Sequence, residues 1–258
     1  MGSASRESLA ALRANLGSAA DQGVGTSLLG AAGELEKAPA LVAALVDASA
    51  SADAKSALVA RVFAQLPAGS QSILGAASAL GWSSSDEFVA GIEELGLRAA
   101  AQSSNEIVDE LLAIAGVIDS DHELELNLGS KLAPAADKVA LLRRLVEGKV
   151  SETATAVATH LAAFPRGRRL GAALREAARI AADQAGFELA TVTVAGALSS
   201  SQQSRLASIL EATAGRPVKV TTVTDATIIG GIRIQMADDI IDGSVQARLD
   251  DLRQRLAA

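Results

Sequence analysis

The chain contains no cysteine and no tyrosine, and only 2% of its 258 residues are aromatic. The absence of cysteine excludes disulfide bonds and thiolate metal sites. With four phenylalanines and one tryptophan, the core must be built almost entirely from aliphatic side chains. Alanine and leucine dominate, and alanine combines the best helix propensity with a side chain small enough to let helices approach. The composition therefore favours closely packed helices.

Basic residues are fewer than acidic residues, and this limits the classes of partner that the chain can bind. The net charge of −7 opposes binding to nucleic acid, which requires a basic face. No apolar run has the length of a membrane span, and the opening MGSASRESLAALR lacks the apolar stretch of a signal peptide. We therefore expect a cytoplasmic protein that binds no nucleic acid and reaches a membrane only through protein partners.

Sequence motifs for catalysis or cofactor binding are scarce as well. His122 and His160 fall in different helical segments and lack metal-ligand spacing. The segment GVGTSLLG (23–30) has Leu28 where a dinucleotide fingerprint needs its third glycine, and no strand precedes it. Metalloprotease, nucleophile-elbow and Walker motifs do not occur. We expect no cofactor, no metal and no catalytic residue.

An internal repeat organises most of the chain. Residues 5–185 have the pattern of amphipathic helices separated by short Gly, Ser or Pro breaks. The segment LLGAAGEL (28–35) aligns with LLAIAGVI (111–118), and the same offset aligns Lys55 with Lys138. Because this one offset holds without a break along several consecutive helical segments, it indicates that a helical bundle has been duplicated.

The predicted fold is mostly α, with two tandem helical bundles followed by a small C-terminal α/β module. The first bundle spans residues 1–84 and the second 85–186, with Ser84 and Glu87 forming a capping box where the second begins. The α/β module spans residues 187–258. Its predicted elements are a strand in FELATVTV (187–194), a helix capped at Ser200 and ended by Gly215, strands at 217–223 and 227–236, and a last helix from Ser244.

The segment IIGGIRIQMADDIIDGSV (228–245) holds the candidates for a local site. Gly230 and Gly231 indicate a bulge or a place where another backbone comes close. Asp238, Asp239 and Asp242 could bind a divalent cation through carboxylate oxygens. Alternatively, Asp242 and Ser244 cap the last helix, and we favour this interpretation. The basic run RGRRL (166–170) is either a solvated helix start or a contact for an acidic partner.

The segment VTTVTDATIIGGIRIQMADDIIDGSVQARLDDLRQRL (220–256) resembles the delta subunit of F-type ATP synthase, the family of the mitochondrial oligomycin-sensitivity-conferring protein. One departure is Ala237, where the family commonly has glycine. The extra bundle is similar to the elongated delta region of actinobacteria. The positions that carry the family motif, with a structural or stalk-docking role, are Gly230, Gly231, Asp239, Asp242, Gly243, Ser244, Arg248 and Leu249.

The resemblance implies a non-catalytic stator subunit. It would link the alpha subunits of the catalytic head to the peripheral-stalk subunit b, at the cytoplasmic face of the cell membrane, and so resist rotation during proton-driven ATP synthesis. In the family, a bundle holds an amino-terminal helix of alpha in an apolar groove, and the α/β module meets the carboxyl end of b. We expect that groove on the first and fifth helices of the second bundle, at Ile92, Leu95, Ala99, Val157 and Leu161, although for each single residue we favour the alternative of ordinary bundle core. Two alternatives remain: a helical adaptor of an unrelated complex, and an enzyme that uses the aspartate cluster.

Overall fold

The computed structural model describes residues 1–16, 23–104, 106–130, 132–225, 230–236 and 239–245. Within these residues the chain is mostly helical and ends in a four-stranded sheet, so the predicted fold class is confirmed. It divides into two compact units, residues 1–181 and 182–258. The helices are α1 (Ser3–Asn15), α2 (Val24–Lys37), α3 (Pro39–Val46), α4 (Ala52–Val62), α5 (Ala68–Ala79), α6 (Ser85–Ser103), α7 (Ile107–Ser120), α8 (His122–Gly129), α9 (Ala135–Val146), α10 (Glu152–Ala163), α11 (Leu170–Gln184) and α12 (Ser200–Ala214). The strands are β1 (Glu188–Val194), β2 (Val218–Thr224), β3 (Ile232–Met236) and β4 (Asp239–Asp242).

The helices recur at the spacing of the sequence repeat. The offset that aligns Leu28 with Leu111 also carries the first residues of α2, α3 and α4 onto those of α7, α8 and α9. At the ends of the series the spacing relaxes slightly, since α1 and α6 are a little closer together along the chain and α6 and α11 a little farther apart. Helix α6 is therefore both the sixth helix of the first series and the counterpart of α1 in the second.

This double position of α6 is visible in the core. Its Phe88, Ile92 and Leu95 pack in one hydrophobic cluster with Leu9 of α1 and Leu28 of α2. The sequence assigned α6 to the second bundle, whereas its side chains complete the core of the first. A boundary between two bundles at 84/85 stays a prediction. Separating the chain there would remove the apolar side chains of α6 from the first hydrophobic core.

Helix α2 lies close against α6 because glycines remove side chains at the crossing. A Cβ added at Gly25 would lie 2.4 Å from the backbone nitrogen of Ala100, and one added at Gly96 of α6 would lie 3.0 Å from the side chain of Leu29. Farther along α2, a Cβ at Gly33 would lie 2.6 Å from the ring of Phe164, the residue that follows α10. Small residues let backbones approach and increase the number of dispersion contacts. Helix α2 therefore packs on α6 and on the end of α10.

A buried polar cluster ties α6 to α10 on another side. Glu93 is 5% exposed, and its Oε2 lies 3.2 Å from Nε2 of His160. The guanidinium of Arg168 donates to Oε1 of Glu93 at 2.8 Å. Burial alone would raise the pKa of Glu93, but the hydrogen bond with His160 and the charge of Arg168 outweigh it and lower the pKa below the usual 4.5. The buried His160 thus has a structural role in this cluster.

The capping box predicted at the start of α6 is half formed. The Ser84 hydroxyl accepts the amide of Glu87 at 3.2 Å, as predicted. The reciprocal bond is absent from the described residues because the Glu87 carboxylate instead accepts the amide of Gly2 at 3.0 and 3.1 Å. Hydrogen bonds from Ser5 and Gly2 lower the pKa of Glu87. The side chain thus ties the start of α1 to the start of α6.

The second unit is built around a βαβ crossover. Strand β1 pairs parallel to β2 and antiparallel to β3, and β4 pairs antiparallel to β3, giving the order β2-β1-β3-β4. A parallel pair needs a crossover, which α12 supplies between β1 and β2. The Ser199–Gln202 capping box starts α12 one residue before the predicted cap, and Gly215 at φ +69° ends it as predicted. Leu206 and Leu210 of α12 pack on the sheet. The predicted strand at 227–236 begins only at Ile232 among the described residues.

The glycine at the contact between α2 and Phe164 can be tested by substitution. We expect Gly33→Ala to lower the free energy of unfolding by about 1–3 kcal/mol, because the added methyl meets the Phe164 ring and must push it aside. Gly30→Ala on the same helix meets no atom within 4 Å and should be neutral or stabilise by up to about 1 kcal/mol through helix propensity. Urea denaturation compares the two. Equal losses would contradict the close contact.

The buried carboxylate gives a pH-dependent prediction. Because the pKa of Glu93 is lowered by folding, its contribution is complete above about pH 4.5 and is lost as the pH falls through the folded value. Glu93→Gln should therefore lower the free energy of unfolding by about 1–3 kcal/mol at pH 7, and the difference from the parent should shrink below about pH 4. The control Glu34→Gln breaks an exposed pair with Lys37 and should change stability by less than about 0.5 kcal/mol. A Glu93→Gln deficit that does not vary with pH would contradict this assignment.

Candidate partner-binding surfaces

The five residues expected to line a partner groove lie in the core. Ile92, Leu95, Val157 and Leu161 are 0% exposed, and Ala99 is 3% exposed. Ile92, Leu95 and Ala99 belong to the cluster that α6 shares with α1 and α2. Within the described chain these side chains offer no open surface, in keeping with the core alternative. A contact between them and a partner helix stays a prediction, and for the three on α6 it requires α2 to leave its place.

The second glycine of the pair in the C-terminal motif is explained by a returning backbone. Gly231 has φ +85°, and a Cβ there would lie 2.5 Å from the carbonyl oxygen of Gly243. The amide of Gly243 donates to the carbonyl of Ile232 at 2.9 Å, and that of Val245 donates to Gly230 at 3.0 Å. The chain after β4 thus passes directly over the glycines. Of the two alternatives from the sequence, a close backbone approach describes Gly231.

Both carboxylate oxygens of Asp242 accept hydrogen bonds beside this close backbone approach. Its Oδ1 accepts the amide of Ser244 at 2.9 Å, and its Oδ2 accepts two guanidinium N–H groups of Arg233 at 3.0 and 2.9 Å. The Ser244 hydroxyl and amide, together with Arg233, lower the pKa of Asp242 to about 2. The carboxylate is thus engaged by groups of its own chain where the last helix was predicted to start. That helix, with Arg248 and Leu249, lies outside the described residues.

The alternative of a carboxylate metal cluster finds no support in this geometry. Asp239 and Asp242 are the first and last residues of β4, so they are about 10 Å apart along the strand and face opposite sides. Asp238 lies outside the described residues. No group of three or more potential ligands of His, Asp or Glu type comes together in the described part of the chain.

Strand β4 presents an exposed apolar edge. It is the outermost strand on its side of the sheet among the described residues, and every one of its residues is exposed. Ile240 is 64% exposed, Ile241 is 51% exposed and the adjacent Val245 is 40% exposed. Two adjacent exposed isoleucines on an edge strand are unusual, because such edges are normally blunted by charge or by proline. The sequence predicted only a cap for the last helix at Asp242 and Ser244, so the strand was missed.

The basic run at 166–170 is held by internal acids. Arg166 donates to the carbonyl of Asp86 at 2.6 Å and lies 3.8 Å from Glu36. Arg168 is bound to Glu93, as described above, and Arg169 lies 3.4 Å from Glu125. The turn between α10 and α11 is therefore tied to several helices by its arginines, which favours the structural alternative for this run.

A feature missed from the sequence is an open groove in the second helical series. A cavity of about 490 Å³ and an adjoining one of about 310 Å³ are both lined by Gly129, Arg169 and Leu170. The buried Lys138 faces the larger cavity, and the exposed Leu126 lines the smaller. The alignment of Lys55 with Lys138 was visible in the sequence, but their burial was not.

No described helix combines the length and apolar character needed to span a bilayer.

The close approach between Gly231 and Gly243 can be tested by substituting two neighbouring glycines. Gly231→Ala should destabilise the joint by about 2 kcal/mol or more, because it combines a left-handed backbone with a clash against Gly243. Gly230→Ala, whose Cβ would make an ordinary 3.4 Å contact with Val245, should cost less than about 1 kcal/mol. Hydrogen exchange of the β3 amides measures both effects. Faster exchange in Gly230→Ala than in Gly231→Ala would contradict the geometry.

Comparison with known proteins places the chain in a family. The family model described as ATP synthase delta (OSCP) subunit matches residues 96–256. ATP synthase subunit delta of Leifsonia xyli is 44% identical over the whole of both chains, and that of Streptomyces coelicolor is 33% identical over 100% of this chain and 99% of its own. A chain of the Toxoplasma gondii mitochondrial ATP synthase hexamer matches with a TM-score of 0.39 and 18% identity over 63% of this chain and 97% of its own, a likeness too low to establish a shared fold. The family model and the two full-length relatives agree and are decisive: this chain belongs to the ATP synthase delta (OSCP) subunit family.

Proposed function

We propose that the chain is a stator subunit of an F-type ATP synthase. It joins the catalytic head to the peripheral stalk, so that the head does not turn with the rotor. The single observation that carries this role is the 44% identity to an ATP synthase subunit delta over the full length of both chains. In this role the subunit is non-catalytic, and it acts at the cytoplasmic face of the cell membrane through its protein partners.

The described structure suits a part that transmits force. Alanine- and glycine-mediated packing brings α2 against α6, and close-packed interiors are nearly incompressible. The Glu93 cluster and the arginines of the α10–α11 turn add charge-assisted hydrogen bonds between helices. Such cross-links resist sliding of one helix past another. A stator also needs at least two attachment points, and two joined contacts reinforce each other through effective concentration.

The α/β unit supplies the attachment to the stalk in this proposal. The edge strand β4, with Ile240 and Ile241, offers apolar surface to the carboxyl end of subunit b, and the motif from Gly230 to Ser244 holds that strand in place. The helical unit supplies the attachment to the amino-terminal helices of the alpha subunits. An unrelated adaptor role is not favoured, because the family relationship extends over the whole chain.

Binding calorimetry tests the proposed function with the whole chain. We expect it to bind both a catalytic head lacking this subunit and a soluble carboxyl-terminal segment of subunit b. Ile240→Ser combined with Ile241→Ser should weaken binding to b by about 10-fold or more, since two exposed isoleucines would no longer be buried at the contact.

Ile209→Ser on α12 is the matched control, because Ile209 is 56% exposed and lies away from the edge strand. It should leave the affinity for b unchanged. A folded parent chain that binds neither the head nor b would refute the stator role. Equal weakening by the control and by the double variant would refute the placement of b on β4.

A further inference from the structure

The hydrogen bonds between β3 and β4 show which backbone groups of the edge strand are free. The amide of Gly243 donates to the carbonyl of Ile232 at 2.9 Å, and the amide of Val245 donates to the carbonyl of Gly230 at 3.0 Å. Each bond joins two residues that lie directly opposite each other when the β3–β4 register is continued. In an antiparallel ladder, such hydrogen-bonded pairs alternate with pairs that exchange no hydrogen bond.

This alternation determines where each backbone group of β4 points. Asp239 and Ile241 fall in hydrogen-bonded pairs, so their amides and carbonyls point toward β3. Ile240 and Asp242 fall in the intervening pairs, so their amides and carbonyls point away from the sheet. No strand of the described sheet lies on that side of β4. The edge therefore presents a row of backbone donors and acceptors that an added strand could bind.

The row of open backbone groups has a defined end. The next residue whose amide points away from β3 is Ser244, and this amide donates to Oδ1 of Asp242 at 2.9 Å. Arg233 holds the other carboxylate oxygen of Asp242. The Asp242 side chain thus closes the edge after β4, while the backbone groups of Asp242 itself stay open.

The side chains of β4 are apolar on both faces of the sheet along this open stretch. Ile241 lies opposite Ile234, on the face that packs against α12, and Ile240 lies opposite Gln235 on the other face. Both isoleucines of β4 are exposed. At the other edge of the sheet, the described side chains of β2 are buried or half-buried. Of the two edges of the described sheet, β4 alone thus combines open backbone groups with exposed apolar side chains on both faces.

An unpaired charge lies at the start of the same strand. Asp239 is exposed and forms no ion pair with any residue that the structure describes. It lies two residues from Ile241 and therefore on the same face of the sheet. A strand added to β4 places its own side chains beside those of β4. A basic residue next to two apolar residues matches Asp239, Ile240 and Ile241 in turn.

The open backbone groups and the two faces decide between kinds of partner segment. A helix satisfies its own backbone groups internally, so a helix packed on this edge would cover the β4 amides without giving them acceptors. It would also contact Ile240 or Ile241 but not both, since they point to opposite faces. An extended segment binds the backbone groups and contacts both isoleucines, because its successive side chains also point to opposite faces.

We propose that β4 is extended by a strand from the stalk subunit, which carries a basic residue next to two apolar residues. In the stator role proposed above, on which this inference rests, the strand comes from the carboxyl end of subunit b. Its backbone bonds to Ile240 and Asp242, and its apolar residues pack on Ile240 and Ile241. Its basic residue pairs with Asp239. Main-chain hydrogen bonds give this contact its affinity, and the side chains give it specificity.

A proline substitution separates the backbone contact from the side-chain contact. Ile240→Pro removes the amide that points away from the sheet and leaves the ladder to β3 intact, whereas Ile240→Ala shortens the side chain and keeps the amide. In calorimetry with a soluble carboxyl-terminal segment of subunit b, Ile240→Pro should bind at least about 10-fold more weakly than Ile240→Ala. A partner held by side chains alone would bind the proline variant at least as well, since proline has the larger apolar side chain.

Hydrogen exchange at single amides gives a second readout, which needs no substitution. In the free chain the Ile240 amide should exchange fast and the Ile241 amide slowly, because the Ile241 amide points toward β3. Binding of the b segment should slow exchange at Ile240 and Asp242 by at least about 10-fold. Unchanged exchange at these two amides in the bound chain would overturn the added strand.

A charge substitution tests the basic residue of the partner. Asp239→Asn should weaken binding to the b segment by about 3-fold, and the loss should shrink at high salt, as for an ion pair at the rim of an interface. The control Asp53→Asn removes an exposed acid of α4 and should leave the affinity unchanged. Equal losses in the two variants would overturn the pairing with Asp239.

The outcomes also separate this inference from the stator role. Equal affinities of Ile240→Pro and Ile240→Ala for the b segment would overturn the added strand and leave the stator role intact. A folded parent chain that binds no b segment would refute the attachment to the stalk itself, and the added strand with it.

Discussion

The organisation of the helical unit depends on the close crossing of α2 and α6. Gly25 and Gly96 remove the side chains that would hold the two backbones apart, and Gly33 admits the ring of Phe164 at the far end of the same helix. Because α6 is also the first helix of the second series, this crossing joins the two copies of the repeat in one compact unit. The same crossing buries Ile92, Leu95 and Ala99. A contact that stiffens the unit therefore also closes the face where a partner groove was expected.

The periodicity of the sequence predicted most of the helices and strands, but it did not predict which of their apolar side chains are buried and which are exposed. The offset of the repeat could be read because the spacing of leucines and lysines is preserved, and the helix starts reproduce it. Glycine and serine signals placed the ends of α12 to within a residue. An apolar stripe, however, has the same pattern whether it meets its own bundle, a neighbouring bundle or another protein. The burial of Leu95 under α2 and the exposure of Ile240 on an edge strand are consequences of tertiary packing, which no local pattern encodes.

The sequence indicated which polar residues have a structural role, but it did not indicate which residues they contact. The sequence indicated that Ser84 caps α6, and it does, but Glu87 reaches the start of α1 instead of closing the box. The run at 166–170 was recognised as basic, although the acids that hold it, Glu36, Glu93 and Glu125, come from distant segments. Lys138 was visible in the sequence as the repeat partner of Lys55, but the sequence did not show that both lysines are buried or that Lys55 donates to the carbonyl of Ser78.

The proposed function is that of a stiff, non-catalytic connector, with its helical unit on the head and its edge strand on the stalk. Its central claim is mechanical coupling, and proton-driven ATP synthesis measures that directly. In membranes whose ATP synthase has been depleted of this subunit, adding the whole chain back should restore synthesis under an imposed proton gradient, while ATP hydrolysis by the detached head stays unchanged. Synthesis at the same rate with and without the chain would contradict the account.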